Sequence, residues 1–565
     1  GVSTSTFLHT GLPRGPWKMG DTGHSMAVPA PASLDAIATD THFLAYREKV
    51  AAYPGMVYIA SNAGMMHAFN MDNAQASHRG TEYWFYVPRA KLDQNPADVY
   101  EFDGFQVDDL MRAGQTYVNE GMLTIDHVWL DGYSNGLGAS TNFSACSAAG
   151  YYSSEADGII DPNGCEWHRV LVWSGGYGAR HHYALDVTNP YAPIFLWERT
   201  DDSMHPTNPY GKGRAVGAPG IASFVDRKNS TPQRRWLVLW GAGSQSPGVG
   251  TTSAGTSRVH ASVFIHDVNT EQSQVPTEYN TSGYSPTGSA SHPSAFVTNA
   301  DTDPLEEYGP LDSTTLAQGL FGSPAMVDVD GDHSVDAAYI GDSLGYLFKV
   351  RFNETTPGTP TTCLFASPDP GDMSKKLFYR PAVFFSPAGE LLVYYGSGSP
   401  FDIYDTDQGG LYVKVDSTPY GCTVSSAAPC AADSTLFNSS GFMGFDGIGE
   451  KIVGDPIAAF GRLFFSTHTP GSDPCVLGTS RIYGLDVETC GGGIPDVTTD
   501  SYSQQGEQLY TQVDGLISQP VFANGRIYAL NIDAGGLDDQ SLIDDLQVTP
   551  TNMTNYFYTN FRHVY

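Results

Sequence analysis

Four aspartates recur within nine consecutive residues of the chain. They occupy positions one, three, five and nine of the segment 328–336, as Asp328, Asp330, Asp332 and Asp336. A tight turn with this spacing directs alternate side chains inward, so the carboxylate oxygens converge and repel one another unless a cation lies between them. Ca²⁺ suits such a site because it takes oxygen ligands in a flexible geometry. We therefore predict a calcium site formed by these aspartates and the backbone carbonyl group of Ser334.

The spacing matches the calcium loop of an EF-hand only in part. Position six of that loop is normally glycine and is His333 here, and position twelve, normally a bidentate glutamate, is Tyr339. The flanking segments Phe321–Val327 and Ala337–Ile340 favour short strands over helices. The segment is therefore predicted to be a metal-binding loop within a β-hairpin. The alternative is an acidic, solvated hairpin loop.

Other patterns that could carry chemistry are better explained as turns and strands. Two Gly-x-Ser-x-Gly matches lie at 132–136 and 341–345. A nucleophile elbow needs a strand before the serine and a helix after it, whereas the first match continues into a Gly/Ser-rich loop and the second joins two strands. His181 and His182 open a strand, where side-chain alternation sends the two rings to opposite faces. We predict no catalytic residues and no organic cofactor.

Composition favours a turn-rich all-β protein. The 565 residues include 62 glycines and 36 prolines, and only 16% of the residues are charged. The 61 acidic and 29 basic residues give a formal net charge of −32, which disfavours nucleic acid as a partner and favours divalent cations and basic surfaces. No apolar run approaches the roughly 18 residues of a membrane-spanning helix, so no membrane span is predicted.

One structural unit recurs along the chain. It consists of a strand, a turn rich in glycine or asparagine, and a strand that ends in an aromatic and an acidic residue. Met56–Ala60 with Met65–Asn70 is one copy, and Arg169–Ser174 with His182–Val187 is another. About seven such units at irregular spacing predict a modified seven-bladed β-propeller with long loop insertions. A pair of β-sandwiches is the alternative fold, but it gives no reason for the unit to recur.

The same scan suggests a division into regions. Residues 1–50 are predicted to be a lead-in segment with a short helix at Asp40–Val50, and residues 51–565 are predicted to form the propeller. The stretch around 270–316 is dense in Ser, Thr, Pro and Asp, so we predict a surface insertion there.

The seven cysteines fall mostly in Gly/Ser-rich loops, and none forms a Cys-x-x-Cys pair. This pattern disfavours a zinc ribbon, thioredoxin chemistry and c-type haem. The candidate disulfides are Cys146–Cys165, Cys422–Cys430 and Cys475–Cys490, which would leave Cys363 unpaired. Because disulfides are typical of exported proteins, an extracellular location is predicted.

Several segments resemble, in the same order along the chain, parts of the C-terminal domain of the PilC/PilY family of type IV pilus biogenesis factors and adhesins. Met19–Ser25 resembles the opening segment of that domain, and Val57–Phe69 matches its first blade. Leu171–Gly178 resembles the next signature, and Ser323–Phe348, which contains the acidic loop, is the most specific match. Further matches at Lys451–Pro456 follow in the same order, so the resemblance covers nearly everything from Met19 onward.

This resemblance implies a seven-bladed propeller at or near the pilus tip, associated with minor pilins and taking part in pilus assembly, surface attachment and twitching motility. It also implies one Ca²⁺ held by Asp328, Asp330, Asp332, Ser334 and Asp336, with no enzymatic activity. A host or surface receptor is a further possible partner. No Arg-Gly-Asp triplet occurs, so integrin binding does not carry over.

Two alternative functions remain. One is a propeller enzyme that resembles a quinoprotein dehydrogenase, although the chain has no vicinal cysteines and only eight tryptophans. The other is an adhesin that binds a carbohydrate or receptor and has no role in assembly.

Overall fold

The structure is a computed structural model. It describes residues 7–9, 25–30, 41–62, 64–71, 80–88, 121–131, 165–176, 181–200, 217–226, 233–241, 262–268, 295–299, 322–342, 345–352, 361–367, 376–385, 390–398, 406–421, 436–459, 461–472, 476, 478–487, 490, 509–523, 526–529, 531–532 and 546–547.

Within these residues the chain forms six antiparallel sheets of four or five strands. Sheet one contains β1 (Phe7–His9), β2 (Val28–Ala30), β3 (Met56–Ser61), β4 (Met65–Asn70) and β5 (Glu82–Tyr86). Sheet two contains β6 (Leu123–Asp131), β7 (Cys165–Ser174), β8 (His181–Asp186) and β9 (Ile194–Thr200). Sheet three contains β10 (Gly220–Asp226), β11 (Gln233–Gly241), β12 (Ser262–Asp267) and β13 (Ala295–Asn299).

The second half of the chain repeats this arrangement. Sheet four contains β14 (Ala325–Val327), β15 (Ala337–Gly341), β16 (Leu347–Arg351) and β17 (Thr361–Ala366). Sheet five contains β18 (Ala382–Phe385), β19 (Leu391–Gly396), β20 (Gly410–Asp416) and β21 (Phe442–Gly444). Sheet six contains β22 (Lys451–Ile452), β23 (Ile457–Ala459), β24 (Arg462–Thr469), β25 (Thr479–Asp486) and β26 (Tyr510–Asp514). Two small sheets follow, β27 (Leu516–Ile517) with β30 (Asn531–Ile532), and β28 (Val521–Ala523) with β29 (Arg526–Tyr528) and β31 (Leu546–Gln547).

The sheets are arranged as the blades of a propeller. In sheets two to five, consecutive strands pair with one another as a meander. One strand from each successive sheet, in the order β2, β6, β10, β14, β18, β23 and β28, contacts the corresponding strand of the next sheet. Successive sheets therefore pack face to face around an axis, which is the arrangement of a β-propeller. The predicted all-β propeller is confirmed, while the predicted number of seven blades stays a prediction.

Packing between blades explains why their strands are apolar on both faces. All five residues of β15 and all six of β19 are buried. One hydrophobic cluster joins sheets three and four and includes Phe224, Ile265 and Ile340. Because both faces of an inner strand meet a neighbouring blade, the sequence there forms a nearly continuous hydrophobic run.

The lead-in segment contributes to the first blade. Strands β1 and β2 pair with β5 and β3, respectively. The predicted helix is present as α1 (Thr41–Val50), the one helix among the described residues. Phe43 of this helix packs edge-on against Trp167, with ring centroids 5.0 Å apart. The predicted insertion at 270–316 contains β13, which pairs with β12, and the rest of it lies outside the described residues.

The cysteines differ from the sequence prediction in one respect. Cys363 is disulfide-bonded and buried, and so is Cys490, so the expectation that Cys363 stays unpaired is wrong. None of the three predicted pairings is shown, because the side chains of Cys146, Cys165, Cys422, Cys430 and Cys475 lie outside the described residues.

Candidate metal centre

The four aspartates lie in the loop between β14 and β15 of sheet four. Val327 and Ala337 are paired across the base of this hairpin, and the backbone nitrogen of Asp336 donates to the carbonyl group of Val327 at 2.9 Å. The predicted hairpin is therefore confirmed. We call residues 328–336 the acidic loop.

Three of the predicted ligands converge in this loop. Asp328, Asp330 and Asp332 each offer a carboxylate oxygen, and the three oxygens lie within 4.8 Å of one another. A cation between them could contact all three, because Ca²⁺ is bound at about 2.3–2.6 Å from each oxygen ligand. The spacing thus brings three of the four predicted aspartates together, and Asp336 is not part of this group.

Backbone hydrogen bonds to the aspartates fold the loop. Asp328 accepts from the backbone nitrogens of Gly331 at 2.7 Å and His333 at 2.8 Å. Asp332 accepts from the backbone nitrogen of Ser334 at 2.8 Å. Gly331 and His333 have φ angles of 78° and 66°, so both adopt the left-handed conformation. His333 therefore takes at position six a backbone conformation that glycine adopts more easily.

Asp336 lies at the end of the loop, within the field of the other three aspartates. Its Oδ2 accepts from the backbone nitrogen of Val329 at 2.7 Å. Burial is the main cause that raises the pKa of this carboxyl group to about 7; the Val329 hydrogen bond acts to lower it, and the charges of Asp330, Asp328 and Asp332 act to raise it. Burial likewise raises the pKa of Asp328. The charged forms of these groups are thus disfavoured unless a positive charge is present.

Ser334 has a role that sequence reasoning missed. Its side chain is fully buried, and its Oγ accepts from the backbone nitrogen of Val225 on β10 at 2.9 Å. Ser223 of the same strand donates its hydroxyl to the carbonyl group of His333, and its backbone carbonyl group accepts from the backbone nitrogen of Val335 at 2.8 Å. The acidic loop is therefore attached to the preceding blade. Coordination by the carbonyl oxygen of Ser334 stays a prediction.

A second hydrogen-bonded group was also missed, and it resembles a catalytic triad. The Oγ of Ser61 lies 2.8 Å from Nε2 of His67, whose Nδ1 lies 2.7 Å from Oε1 of Glu82. Ser61 is fully buried, however, so a substrate could not reach its hydroxyl. The three residues belong to β3, β4 and β5, and their hydrogen bonds join these strands of sheet one.

The other sequence patterns have structural roles where they are described. His182 is fully buried and stacks on Trp240 with ring centroids 4.1 Å apart, whereas His181 is partly exposed near Glu198. Residues 341–345 connect β15 to β16, so no helix follows Ser343. Residues 132–136 lie outside the described residues. Among the helices that the structure describes, none is long and apolar enough to cross a membrane.

Known proteins provide an independent comparison. The chain is 24% identical over 488 residues to a type IV pilus biogenesis factor PilY1 homolog of Xylella fastidiosa strain Temecula1, a match that covers 79% of this chain and 27% of the relative. It is 22% identical over 524 residues to the type IV pilus biogenesis factor PilY1 of Pseudomonas aeruginosa PAO1, covering 80% of this chain and 36% of that protein. The chain thus spans about a third or less of the length of these relatives. No protein-family model matches the chain.

The fold agrees with this comparison. The crystal structure of the Pseudomonas aeruginosa PilY1 C-terminal domain superposes with a TM-score of 0.50 at 18% identity, and the match covers 87% of this chain and 94% of that domain. In sequence the chain is similar to PilY1 type IV pilus biogenesis factors, and in fold it is similar to the C-terminal domain of one of them.

Proposed function

We propose that the chain is a calcium-binding, non-enzymatic component of the type IV pilus. It would act outside the cell at the pilus tip, in pilus assembly, surface attachment and twitching motility. The observation that supports the calcium proposal most directly is the convergence of the Asp328, Asp330 and Asp332 carboxylates in a partly buried loop. The pilus role is proposed from the relatives named as biogenesis factors.

The donor set of the acidic loop fits a hard divalent cation. Asp328, Asp330 and Asp332 would hold it through their carboxylates, and Asp336 and the carbonyl group of Ser334 would complete the ligand set. Calcium would supply positive charge that offsets the mutual repulsion of the carboxylates. The loop is already fastened to β10, so we expect the ion to order the loop and its surroundings more than the whole propeller.

The absence of enzymatic activity is proposed from the interior of the ring. Arg380 lies two residues before the start of β18, and its Nη2 lies 3.4 Å from Oγ1 of Thr124 on β6. Strands β6 and β18 belong to sheets two and five, so this contact crosses the axial region. We therefore propose that these side chains link two blades and have no catalytic role.

We also propose that the propeller has seven blades. The seven strands that contact one another in succession, from β2 to β28, each belong to a different sheet. The last of them belongs to the three-stranded sheet of β28, β29 and β31, which would be the seventh blade. A blade that small fits the description of a modified propeller.

Minor pilins at the pilus tip are the proposed partners. The net charge of −32 favours a basic partner surface. Within the part of the chain that the structure describes, outer strands such as β9 and β17 pair on one edge, and a partner strand could add to the other. A cell-surface receptor remains the second class of partner.

Isothermal titration calorimetry with CaCl₂ tests the calcium proposal. The 565-residue chain should bind one Ca²⁺, and Asp328→Ala/Asp336→Ala should abolish this binding. A matched control is Asp446→Ala/Asp514→Ala, which removes the same number of charges at exposed positions outside the loop and should bind as the wild type does. Unchanged binding by the loop variant would contradict the site assignment. Capture of purified minor pilins by the chain, with and without Ca²⁺, tests the pilus role.

A further inference from the structure

A buried ion pair lies between the blade of the acidic loop and the next blade. Lys349 on β16 contacts the carboxylate of Asp416 at the end of β20, and the two residues are 1% and 0% exposed. Lys349 Nζ also donates to the carbonyl groups of Thr418 and Gly421, both at 3.1 Å. One amine thus fixes the turn 416–421 of sheet five to sheet four.

The strand that leaves the acidic loop makes a second contact with this turn. Tyr339 on β15 is paired with Lys349 across the β15–β16 ladder, and its hydroxyl donates to Oδ2 of Asp416 at 2.5 Å. The other oxygen of Asp416 accepts from the backbone nitrogen of Thr418 at 3.0 Å. Tyr339 stands where an EF-hand has its last glutamate ligand, and here it connects the loop to the neighbouring blade.

The side chain of Tyr420, on the same turn, lies in the electrostatic field of the acidic loop. It is 57% exposed. Partial burial raises the pKa of its phenol, and so do the four carboxylates of the loop, Asp336 most strongly. The turn that Lys349 holds therefore carries a side chain whose pKa the charges of the acidic loop influence.

We propose that Lys349 is a positioning residue for the calcium site. It would hold the turn 416–421 and, through Asp416 and Tyr339, the end of the acidic loop, so that the carboxylates are arranged before the ion binds. This inference rests on the proposed calcium function. Residues that support metal ligands from outside typically change affinity by about 10–100-fold when they are replaced.

Calcium titration of the full 565-residue chain tests this role. Lys349→Met should weaken Ca²⁺ binding by about tenfold while the stoichiometry stays at one. Because Lys349→Met leaves Asp416 buried without its cation, the double variant Lys349→Met/Asp416→Leu is needed as well. It removes both charges, which proteins often tolerate, and should also bind Ca²⁺ more weakly. Lys349→Arg should recover most of the affinity.

A second ion pair with a fully buried carboxylate provides the control. Arg481 Nη1 lies 2.8 Å from Oε2 of Glu450, which is fully buried directly before β22 of sheet six, whereas Arg481 is partly exposed. Arg481→Met should lower stability without changing Ca²⁺ affinity. The role of Lys349 is overturned if Lys349→Met and Lys349→Met/Asp416→Leu both bind Ca²⁺ as the wild type does, or if Arg481→Met weakens binding equally. A wild-type chain that binds no Ca²⁺ would instead overturn the proposed function itself, and the inference with it.

Discussion

The side-chain oxygen of Ser334 accepts a hydrogen bond from the backbone nitrogen of Val225 at 2.9 Å. These residues are 109 positions apart, in the acidic loop of sheet four and on β10 of sheet three. Ser334 is fully buried, so the bond lies where water cannot replace it. The loop is thus hydrogen-bonded to the preceding blade through Ser334, and its carboxylates can bind a cation.

Ser334→Ala should therefore weaken the junction between the two blades. The backbone nitrogen of Val225 would lose its acceptor in a buried environment, at a cost of about 1–3 kcal/mol in the free energy of unfolding. Urea denaturation in the presence of a chelator measures this change without metal. Ser518→Ala, at an exposed position, should stay within about 0.5 kcal/mol of the wild type. Equal stability of the two variants would show that the Ser334 bond does not hold the loop.

Gly331 gives a separate test of the loop conformation. Its φ angle is 78°, and a Cβ atom placed there would meet no other atom within 4 Å. Gly331→Ala should therefore cost about 1 kcal/mol through backbone strain alone. Because Asp330 and Asp332 flank Gly331, the same change should also weaken Ca²⁺ binding. Calorimetry and urea denaturation of one preparation give both quantities.

Gly80 is the matched control for this change. It has a φ angle of 73° and equally open surroundings, but it lies in sheet one between β4 and β5. Gly80→Ala should cost a similar free energy and leave Ca²⁺ affinity unchanged. If the two glycine variants had the same affinity as the wild type, the conformation of Gly331 would not matter to the metal site.

The core of the candidate site could be predicted because it is local. Asp328, Asp330 and Asp332 lie within five residues, so their spacing alone brings their oxygens together once a turn forms. The contacts that hold the loop could not be predicted, since Ser223 and Asp416 come from blades that are adjacent in space and distant in sequence. A single sequence shows which strands exist but gives no register between blades.

For the fold as well, local features could be predicted and long-range pairings could not. Recurring strand–turn–strand units predicted the propeller, because each hairpin is a local structure with a recognisable turn. Strands β1 and β2 lie in the predicted lead-in segment and were not predicted, because each is three residues long and pairs with a strand that is distant in sequence. Strand β13 was not predicted because it lies within a polar stretch. The outer strand of a blade does not need to be apolar on both faces.

His468 makes stability depend on pH. Burial lowers its pKa to about 4, and Lys451 nearby acts in the same direction. An unfolded chain binds a proton at this histidine near its ordinary pKa of about 6.5. Between these values the unfolded state binds more protons than the folded state, so stability is lost as the pH falls from 6.5 towards 4. At pH 5 the loss from this one group is about 2 kcal/mol.

Urea denaturation at pH 7.5 and pH 5 measures that loss. His468→Gln cannot take up the proton, so its free energy of unfolding should fall less between the two pH values than that of the wild type. Saturating Ca²⁺ in all samples keeps the acidic loop in the same state. A parallel decrease for both proteins would show that His468 does not titrate in this range on unfolding.

Cys363 permits a covalent test of the junction between sheets four and five. It lies on β17, paired with Lys349 across the β16–β17 ladder, and it is disulfide-bonded. Lys349 Nζ donates to the carbonyl group of Gly421, and Cys422 follows Gly421 in the sequence. We therefore predict a Cys363–Cys422 disulfide in place of Cys422–Cys430.

Peptide mapping without reduction should recover the two cysteines in one linked species that separates after reduction. Cys363→Ser should lower the free energy of unfolding by about 2–4 kcal/mol, since the bond closes a long loop. Linkage of Cys363 to Cys430, or to any of the other cysteines, would contradict this pairing.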